Sequence, residues 1–395
     1  MRLEEAQKIL SDILAPCGYD QFFDEYVGKK PLTVIGKNTA DRHLMLGEDP
    51  KDTILSAYET YAPFLTSHNR TPKGPPPSAK PVQDADAFLQ LIKGYHKGGY
   101  TVRIPDVLNL SPRLTELTRA IEVIIGNPAG VVVFWSDSEA EAPIHHDEID
   151  VIVLQLVGSK KWFISDEPPT QPNIWKSVGE GVPSFERYST IDIGPGDLLY
   201  VPRGTPHTVK STSESIHLAI GFTPVTVREM IAAALDQLSE LNQPLRADLG
   251  TRADCMTQNK GADIVLRQIR DGIAQLQENA QSNSFVRDAI VLRKARMLEG
   301  LPKLPRPDRI PAVALDSRVR HHPLAYGQLN ALPHTLEFRQ PGEQFLIHLG
   351  AEEAMRFILD TNEFTIADIP GAIDDSVRIA LVNRLLKSGF LIEAG

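Results

Sequence analysis

The stretch between Gly130 and Phe222 limits most strongly what this chain can fold into. Five short β-rich runs lie there: GVVVFWS (Gly130–Ser136), DVIVLQLVG (Asp150–Gly158), KWFI (Lys161–Ile164), DLLYVP (Asp197–Pro202) and IHLAIGF (Ile216–Phe222). Clusters of Gly, Pro, Ser and Thr separate them, as expected for strands joined by turns. Many short strands of this kind point to a sandwich or barrel rather than to a parallel sheet layered with helices.

The flanking segments have helical texture. At the N-terminus a helix is expected first, then FFDEYVGKKPLTVIG (Phe22–Gly36), then a helix near Asp52–Tyr61. TPKGPPPSAKP (Thr71–Pro81) is too rich in Pro for helix or inner strand and reads as a surface loop or lid. Phe88, Leu89, Leu91 and Ile92 mark a helix over Asp86–Tyr95. Ser111 followed by Pro112 starts another, running to Ile125, with a capping hydroxyl and Pro at the first helical position. After Pro224 come three amphipathic helices, Val227–Leu241, Ala262–Gln277 and Ser284–Leu298. They show no obvious core of their own, so packing against a second copy is expected. A Pro-rich break, LPKLPRPDRIP (Leu301–Pro311), leads to a last module with helices over Ala351–Leu359 and Ser376–Phe390 and an edge segment LIEA. A chain of 395 residues exceeds one ordinary domain. The division expected is residues 1–224, 225–300 and 301–395.

Chemistry is suggested by APIHHDEIDVIVLQLVGSKKWFI (Ala142–Ile164). His145 and Asp147 stand two apart at the approach to a strand, where residues i and i+2 share a face, so an imidazole and a carboxylate can meet one ion. His146 between them points away and reads as a supporting or packing residue. Sixty residues after Asp147, GPGDLLYVPRGTPHTV (Gly194–Val209) supplies turn, strand, turn and then His207. In an antiparallel barrel that spacing lets a distant strand return beside the first. Two imidazoles and one carboxylate on one face of an octahedron leave positions open, which suits non-haem iron(II).

Composition narrows the partners. The formal charge is −10 and the sequence pI about 5.6, the wrong sign for a protein that coats nucleic acid. The last module is itself acidic, with Glu352, Glu353, Asp360, Glu363, Asp368, Asp374, Asp375 and Glu393 against Arg356, Arg378, Arg384 and Lys387, so direct DNA binding is not expected. Cys17 and Cys255 form no CxxC pattern. No apolar run approaches a membrane span and the first residues lack a signal-peptide core, so a cytoplasmic protein is expected.

The segments HHDEIDVIVLQLVGSKKWFI and GPGDLLYVPRGTPHTV closely resemble the JmjC branch of the cupin superfamily, in particular the bacterial ribosomal-protein oxygenases. FFDEYVGKKPLTVIG is similar to the entry segment of that family, the helices after Pro224 to its dimerisation region, and FTIADIPG with LVNRLLKSGFL to its terminal winged helix. The resemblance implies an α+β protein: a double-stranded β-helix, a helical dimerisation domain and a winged-helix-like end. It implies a dioxygenase that uses iron(II), O2 and 2-oxoglutarate to hydroxylate a side chain of a protein, a ribosomal protein at Arg or His among the candidates, and a homodimer.

Carried onto this sequence, the resemblance puts the metal on His145, Asp147 and His207. It gives Lys160 the distal carboxylate of 2-oxoglutarate. Lys160 shares a strand face with Trp162 and Lys161 with Phe163, so one lysine of the pair points inward, where a buried dicarboxylate needs a cation. His217 falls where the family often has a polar residue facing the pocket, and Ser136 where a hydroxyl commonly bonds the co-substrate. Phe134 departs from the Tyr usual nearby. Asp150 and Arg203, near the expected mouth, are candidates for substrate contact. Two other readings of the sequence stand beside this one: a hydroxylase of a peptide natural product or free amino acid, and a non-catalytic cupin scaffold.

Overall fold

The computed structural model describes residues 1–36, 41–68, 73–77, 81–172, 184–247 and 262–394. The chain forms two compact units, Met1–Thr223 and Pro224–Gly395. The segment Thr71–Pro81 lies only in part within the described residues.

The first unit is built on ten strands: β1 (Leu32–Val34), β2 (Thr66–His68), β3 (Thr101–Ile104), β4 (Gly130–Ser136), β5 (Asp150–Val157), β6 (Lys160–Ser165), β7 (Tyr188–Ile193), β8 (Leu198–Val201), β9 (His207–Ser211) and β10 (Ser215–Phe222). A seven-stranded sheet runs β1-β8-β5-β10-β4-β3-β2 and a smaller one β7-β6-β9. Isolated antiparallel bridges, Glu141 with Lys210 and His145 with His207, add the segment after β4 to the small sheet beside β9. From β4 onward the chain therefore shuttles between the two sheets, with every ladder antiparallel. This is a double-stranded β-helix in an α+β protein. Two of its strands, β7 and β9, and the three short strands β1 to β3 that widen the large sheet, are additions to the sequence reading.

Side-chain alternation explains why β5 is apolar at nearly every position. Ile152, Leu154 and Leu156 face outward into a core shared with Val131, Val133, Trp135, Leu198, Tyr200, Ile216, Leu218 and Ile220. That core is closed by the helices Leu3–Leu14 and Pro112–Ile125, through Leu10, Leu14, Leu114, Leu117 and Ile121. Val151 and Val153 face the other way, toward Trp162, Ile164, Ile193, Leu199 and Val201 between the sheets. A strand buried on both faces reads as a continuous hydrophobic run. The Ser111 hydroxyl accepts from the Leu114 amide, so the cap on the second helix is made as the sequence suggests. The turn from β5 to β6 depends on Gly158. Its φ is +64°, and a Cβ there would lie 1.9 Å from the Glu214 carbonyl oxygen.

The second unit opens with three helices, Val227–Leu241, Ala262–Asn279 and Asn283–Gly300. Thr226 and Glu229 form a capping box on the first, and Arg293 pairs with Glu229 at 3.1 Å. Six strands follow: β11 (Arg318–His321), β12 (Gln328–Ala331), β13 (Thr335–Gln340), β14 (Glu343–His348), β15 (Glu363–Thr365) and β16 (Leu391–Glu393). They make two three-stranded sheets, β15-β11-β16 and β12-β13-β14. With the helices Glu352–Asp360 and Asp375–Lys387 they enclose Phe338, Met355, Ile358, Val382, Leu385 and Phe390. The meander β12 to β14 is not anticipated from sequence. Among the described residues, no helix is long and apolar enough to cross a membrane.

Candidate metal centre

His145 and His207 face each other across the small sheet. Each backbone amide donates to the other's carbonyl, at 3.0 and 2.8 Å, so the two ligand positions are pinned together before any metal arrives. Their rings lie 4.4 Å apart. Asp147 sits in the loop before β5, and its carbonyl accepts the amide of Gly204 at 2.8 Å. Gly204 has φ +76°, and a Cβ there would clash with Pro172 and Thr170, so the turn that reaches Asp147 requires glycine at its packing against the 170–172 segment. One donor atom from each of His145, Asp147 and His207 lies within 4.8 Å of the others. His207 Nε2 is 3.6 Å from the Asp147 carboxylate.

The tautomers suit a metal. His145 Nδ1 is 2.8 Å from the Pro143 carbonyl and His207 Nδ1 is 2.9 Å from that of Thr205. A carbonyl only accepts, so each Nδ1 carries the proton and each Nε2 keeps a lone pair for coordination. Burial, reinforced by His145, holds the His207 imidazole at about 4, so it is neutral at physiological pH.

A cavity of about 560 Å³ extends from these ligands between the sheets. Its walls are the inward residues of successive strands, among them Val132, Val153, Val201, Val209 and Ala219. At its inner end stands Lys160, 2% exposed. Its ammonium donates to Ser136 Oγ at 2.8 Å, and Ser136 in turn shares a 2.9 Å bond with Thr101 Oγ1. No carboxylate among the described residues pairs with Lys160, and burial pulls its ammonium down to about 7. His217 lines the same cavity, its ring stacked on Phe134 at 4.8 Å. Its Nδ1 and the Trp162 Nε1 are buried and without a hydrogen-bond partner.

The structure thus brings His145, Asp147, His207, Lys160, Ser136 and His217 to one cavity. It does not bring Asp150 or Arg203 there. Asp150 is 1% exposed, its carboxylate accepts the Tyr200 hydroxyl at 2.6 Å and, at 3.4 Å, the Arg203 amide, and neither residue lines the cavity. Sequence reasoning also missed cavity residues. His68 on β2 and Thr101 and Arg103 on β3 line it, on strands too short to announce themselves. The exposed Arg103 guanidinium lies 5.3 Å from the Phe134 ring centre.

A family model described as the JmjC domain matches residues 108–230. Curated relatives include the bifunctional lysine-specific demethylase and histidyl-hydroxylase NO66 of Dictyostelium discoideum, 24% identical over 60% of this chain and 47% of that protein. Ribosomal oxygenase 2 of Rattus norvegicus is 31% identical over 34% of this chain and 29% of its own length. The chain thus spans less than half the length of either. Among solved structures, Escherichia coli YcfD superimposes with a TM-score of 0.55 at 16% identity, covering 95% of this chain and 98% of that one. A second structure of YcfD, in complex with cobalt and 2-oxoglutarate, gives 0.54 at 16% identity with the same coverage. At these identities the structural likeness establishes the fold.

Proposed function

We propose that this chain, whose residues 108–230 match the family model of the JmjC domain, is an iron(II)- and 2-oxoglutarate-dependent dioxygenase that hydroxylates an amino-acid side chain in a protein. One observation carries this reading. A single cavity holds three metal donors within 4.8 Å at one end and an unpaired, buried lysine at the other. A buried cation costs free energy unless a counter-charge arrives, so Lys160 asks for an anionic ligand. A non-catalytic scaffold has no use for such a cost. The relatives' names, histidyl-hydroxylase and ribosomal oxygenase, and the cobalt and 2-oxoglutarate complex of YcfD point the same way.

The donor set fits iron(II): two neutral imidazoles and one carboxylate, with no thiolate among the described ligands to be oxidised. When bound, iron(II) and 2-oxoglutarate supply the activation of O2 and the oxidation of a C–H bond, with release of succinate and carbon dioxide. The chain's own residues position and exclude. Lys160, steered by Ser136 and Thr101, receives the distal carboxylate. His217 Nδ1 and Trp162 Nε1 offer polar contacts deep in the cavity, and the valine walls keep bulk water from the reacting end. At the rim, Arg103 stacked on Phe134 presents guanidinium donors to acceptor groups of an incoming polypeptide.

A ribosomal protein is the first candidate substrate, modified at Arg or His, and that substrate would place the enzyme in the cytoplasm. Mass spectrometry of ribosomal proteins from a deletion strain and its parent tests this. A +16 Da difference at one residue, restored by the purified protein with iron(II) and 2-oxoglutarate, is the expected result. Conversion of 2-oxoglutarate without any ribosomal product would direct the search to free amino acids and peptide natural products.

The second unit fits a homodimer with a winged-helix-like end module. Val227, Ile231 and Leu235 form an exposed stripe at four-residue spacing, and Leu266, Ile269 and Ile273 form another, with Ile231 54% and Ile273 61% exposed. Apolar stripes of this size ask for a partner. Light scattering of the purified protein should give twice the monomer mass, and I231E with I273E should return it to 43.7 kDa. The helices Glu352–Asp360 and Asp375–Lys387 with β15, β11 and β16 make the winged-helix-like arrangement, whose acidic balance favours protein contact over DNA.

A further inference from the structure

Behind the metal loop lies a polar chain, buried at Tyr200 and Asp150 and reaching the surface at Gln171, that lies outside the lining of the metal-centre cavity. The Tyr200 hydroxyl donates to the Asp150 carboxylate at 2.6 Å and accepts the amide of Gly28 at 2.9 Å. The Gly28 carbonyl accepts the side-chain amide of Gln171 at 3.1 Å. Tyr200 and Asp150 are essentially without solvent exposure. Burial raises the Asp150 carboxyl above its usual range, so keeping it there costs stability that an apolar pair would not.

Its position explains what is gained. Asp150 opens β5, three residues after the ligand Asp147. Tyr200 is the penultimate residue of β8, where the turn Pro202–Thr205 leaves toward His207. That turn does two jobs for the metal centre. Gly204 donates its amide to the Asp147 carbonyl, and Thr205 offers its carbonyl to His207 Nδ1. The Arg203 amide, one residue before Gly204, points at the same Asp150 oxygen that Tyr200 holds, at 3.4 Å. His145 has its own fastening through two backbone bonds to His207. Asp147 does not: its side chain is 38% exposed and its one backbone tie among the described residues is to Gly204. Two of the three ligands thus depend on the turn, Asp147 through the Gly204 amide and His207 through the Thr205 carbonyl.

We infer that Asp150 and Tyr200 are positioning residues for the metal centre, clamping the Pro202–Thr205 turn so that Gly204 holds Asp147 in reach of the two imidazoles. The inference rests on the metal-centre reading above and deepens it, and it gives Asp150 and Arg203 a role distinct from substrate contact. Tyr200, through Gly28, also fastens the segment that precedes β1 to the back of the ligand loop, which explains why an N-terminal element packs so far from the cavity mouth in sequence yet ends on this hydroxyl. Loss of a partner that orients a metal ligand typically weakens metal binding about 10–100-fold.

The test is titration of the metal-free full chain with Co(II), followed by calorimetry and by the visible spectrum, with no co-substrate and no turnover. Y200F removes one oxygen from a buried site, and D150N keeps an acceptor oxygen for Tyr200. I121V, in the helix on the outer core, serves as a control for general loosening. Y200F should bind Co(II) at least tenfold more weakly than wild type, while D150N and I121V stay within threefold of it. Equal affinity in Y200F and wild type, or an equal loss in I121V, would overturn the positioning role while leaving the metal centre intact. If wild type itself took up no Co(II), and H145A behaved identically, the metal-centre reading would fall and this inference with it.

Discussion

On one face of the seven-stranded sheet, Val131, Val133, Ile152, Leu154, Leu198, Ile216 and Leu218 pack against helices in a dry core. On the other face of the same strands, Val132, Ser136, Val153, Val201 and His217 line a cavity that ends on three metal donors and a lysine. One backbone carries both because side chains alternate. The outer face spends its positions on burial. The inner face carries the unpartnered His217 Nδ1, and across the cavity the small sheet adds the unpaired Lys160 and the unpartnered Trp162 Nε1, each unfavourable for folding and each available to a ligand. Stability and chemistry are thus assigned to alternate residues, and a one-residue slip of register would exchange them.

The separation can be broken most severely at the ligands. Asp147→Ala or His145→Ala should reduce 2-oxoglutarate turnover to background, more than the hundredfold that loss of an outer partner costs. The melting temperature of the metal-free protein should scarcely move, because neither side chain belongs to the core. Matched turnover in both variants would end the account of the inner face. Leu218→Ala reverses the effects: about 2–5 kcal/mol of unfolding free energy is lost in urea. Co(II) affinity, measured where the variant is still folded, should stay at the wild-type value.

Lys160→Met sharpens the comparison, since it should damage the site without damaging the fold. Removing a buried charge that has no partner leaves the metal-free protein at least as stable, whereas 2-oxoglutarate binding loses about 2–5 kcal/mol, some thirtyfold or more in KM. The same residue sets a pH signature. Its folded value is depressed from 10.5 to about 7. Between those limits the unfolded chain holds a proton that the folded one lacks, so this lysine makes stability rise with pH from about 7 to 10.5. Below that window its penalty is present in full, and above it the penalty is gone. Urea unfolding at pH 7 and pH 9 should show the rise in wild type and a smaller one in Lys160→Met. Binding runs the opposite way, because the ligand needs the ammonium: KM for 2-oxoglutarate should climb as pH passes about 7 in wild type. The smallest effect is expected from Ser136→Ala. It deletes the hydroxyl that steers Lys160, worth about 0.5–1.5 kcal/mol, or up to roughly tenfold in KM.

The same division governs what can be read without coordinates. His145, Asp147 and His207 stand out because their segments combine unusual residues with strong turn signals, Gly194-Pro-Gly196 and Gly204-Thr-Pro206. Lys160 is legible through the family resemblance, while period-two alternation with Trp162 says only that one lysine of the pair points inward. Asp150 misleads because its partner Tyr200 is fifty residues away and the bond that buries it has no local trace. His68, Thr101 and Arg103 are silent for a related reason. They sit on strands of three and four residues recruited in turn, β3 by the edge of β4 and β2 by the edge of β3. The meander β12 to β14 escapes notice since β14 is nowhere fully buried and its apolar run, residues 345–347, is only three residues long. Strands buried on both faces declare themselves in sequence, and strands recruited by a neighbour do not.

The central claim is that His145, Asp147 and His207 would hold iron(II), and Lys160 the distal carboxylate of 2-oxoglutarate, within one cavity. Anaerobic addition of iron(II) and then 2-oxoglutarate to the purified chain tests it most directly. A visible charge-transfer band should develop in wild type, saturate at one equivalent of iron, need far more 2-oxoglutarate in Lys160→Met and be absent in Asp147→Ala. A wild-type protein that stays colourless, or an Asp147→Ala variant that colours equally, would contradict it.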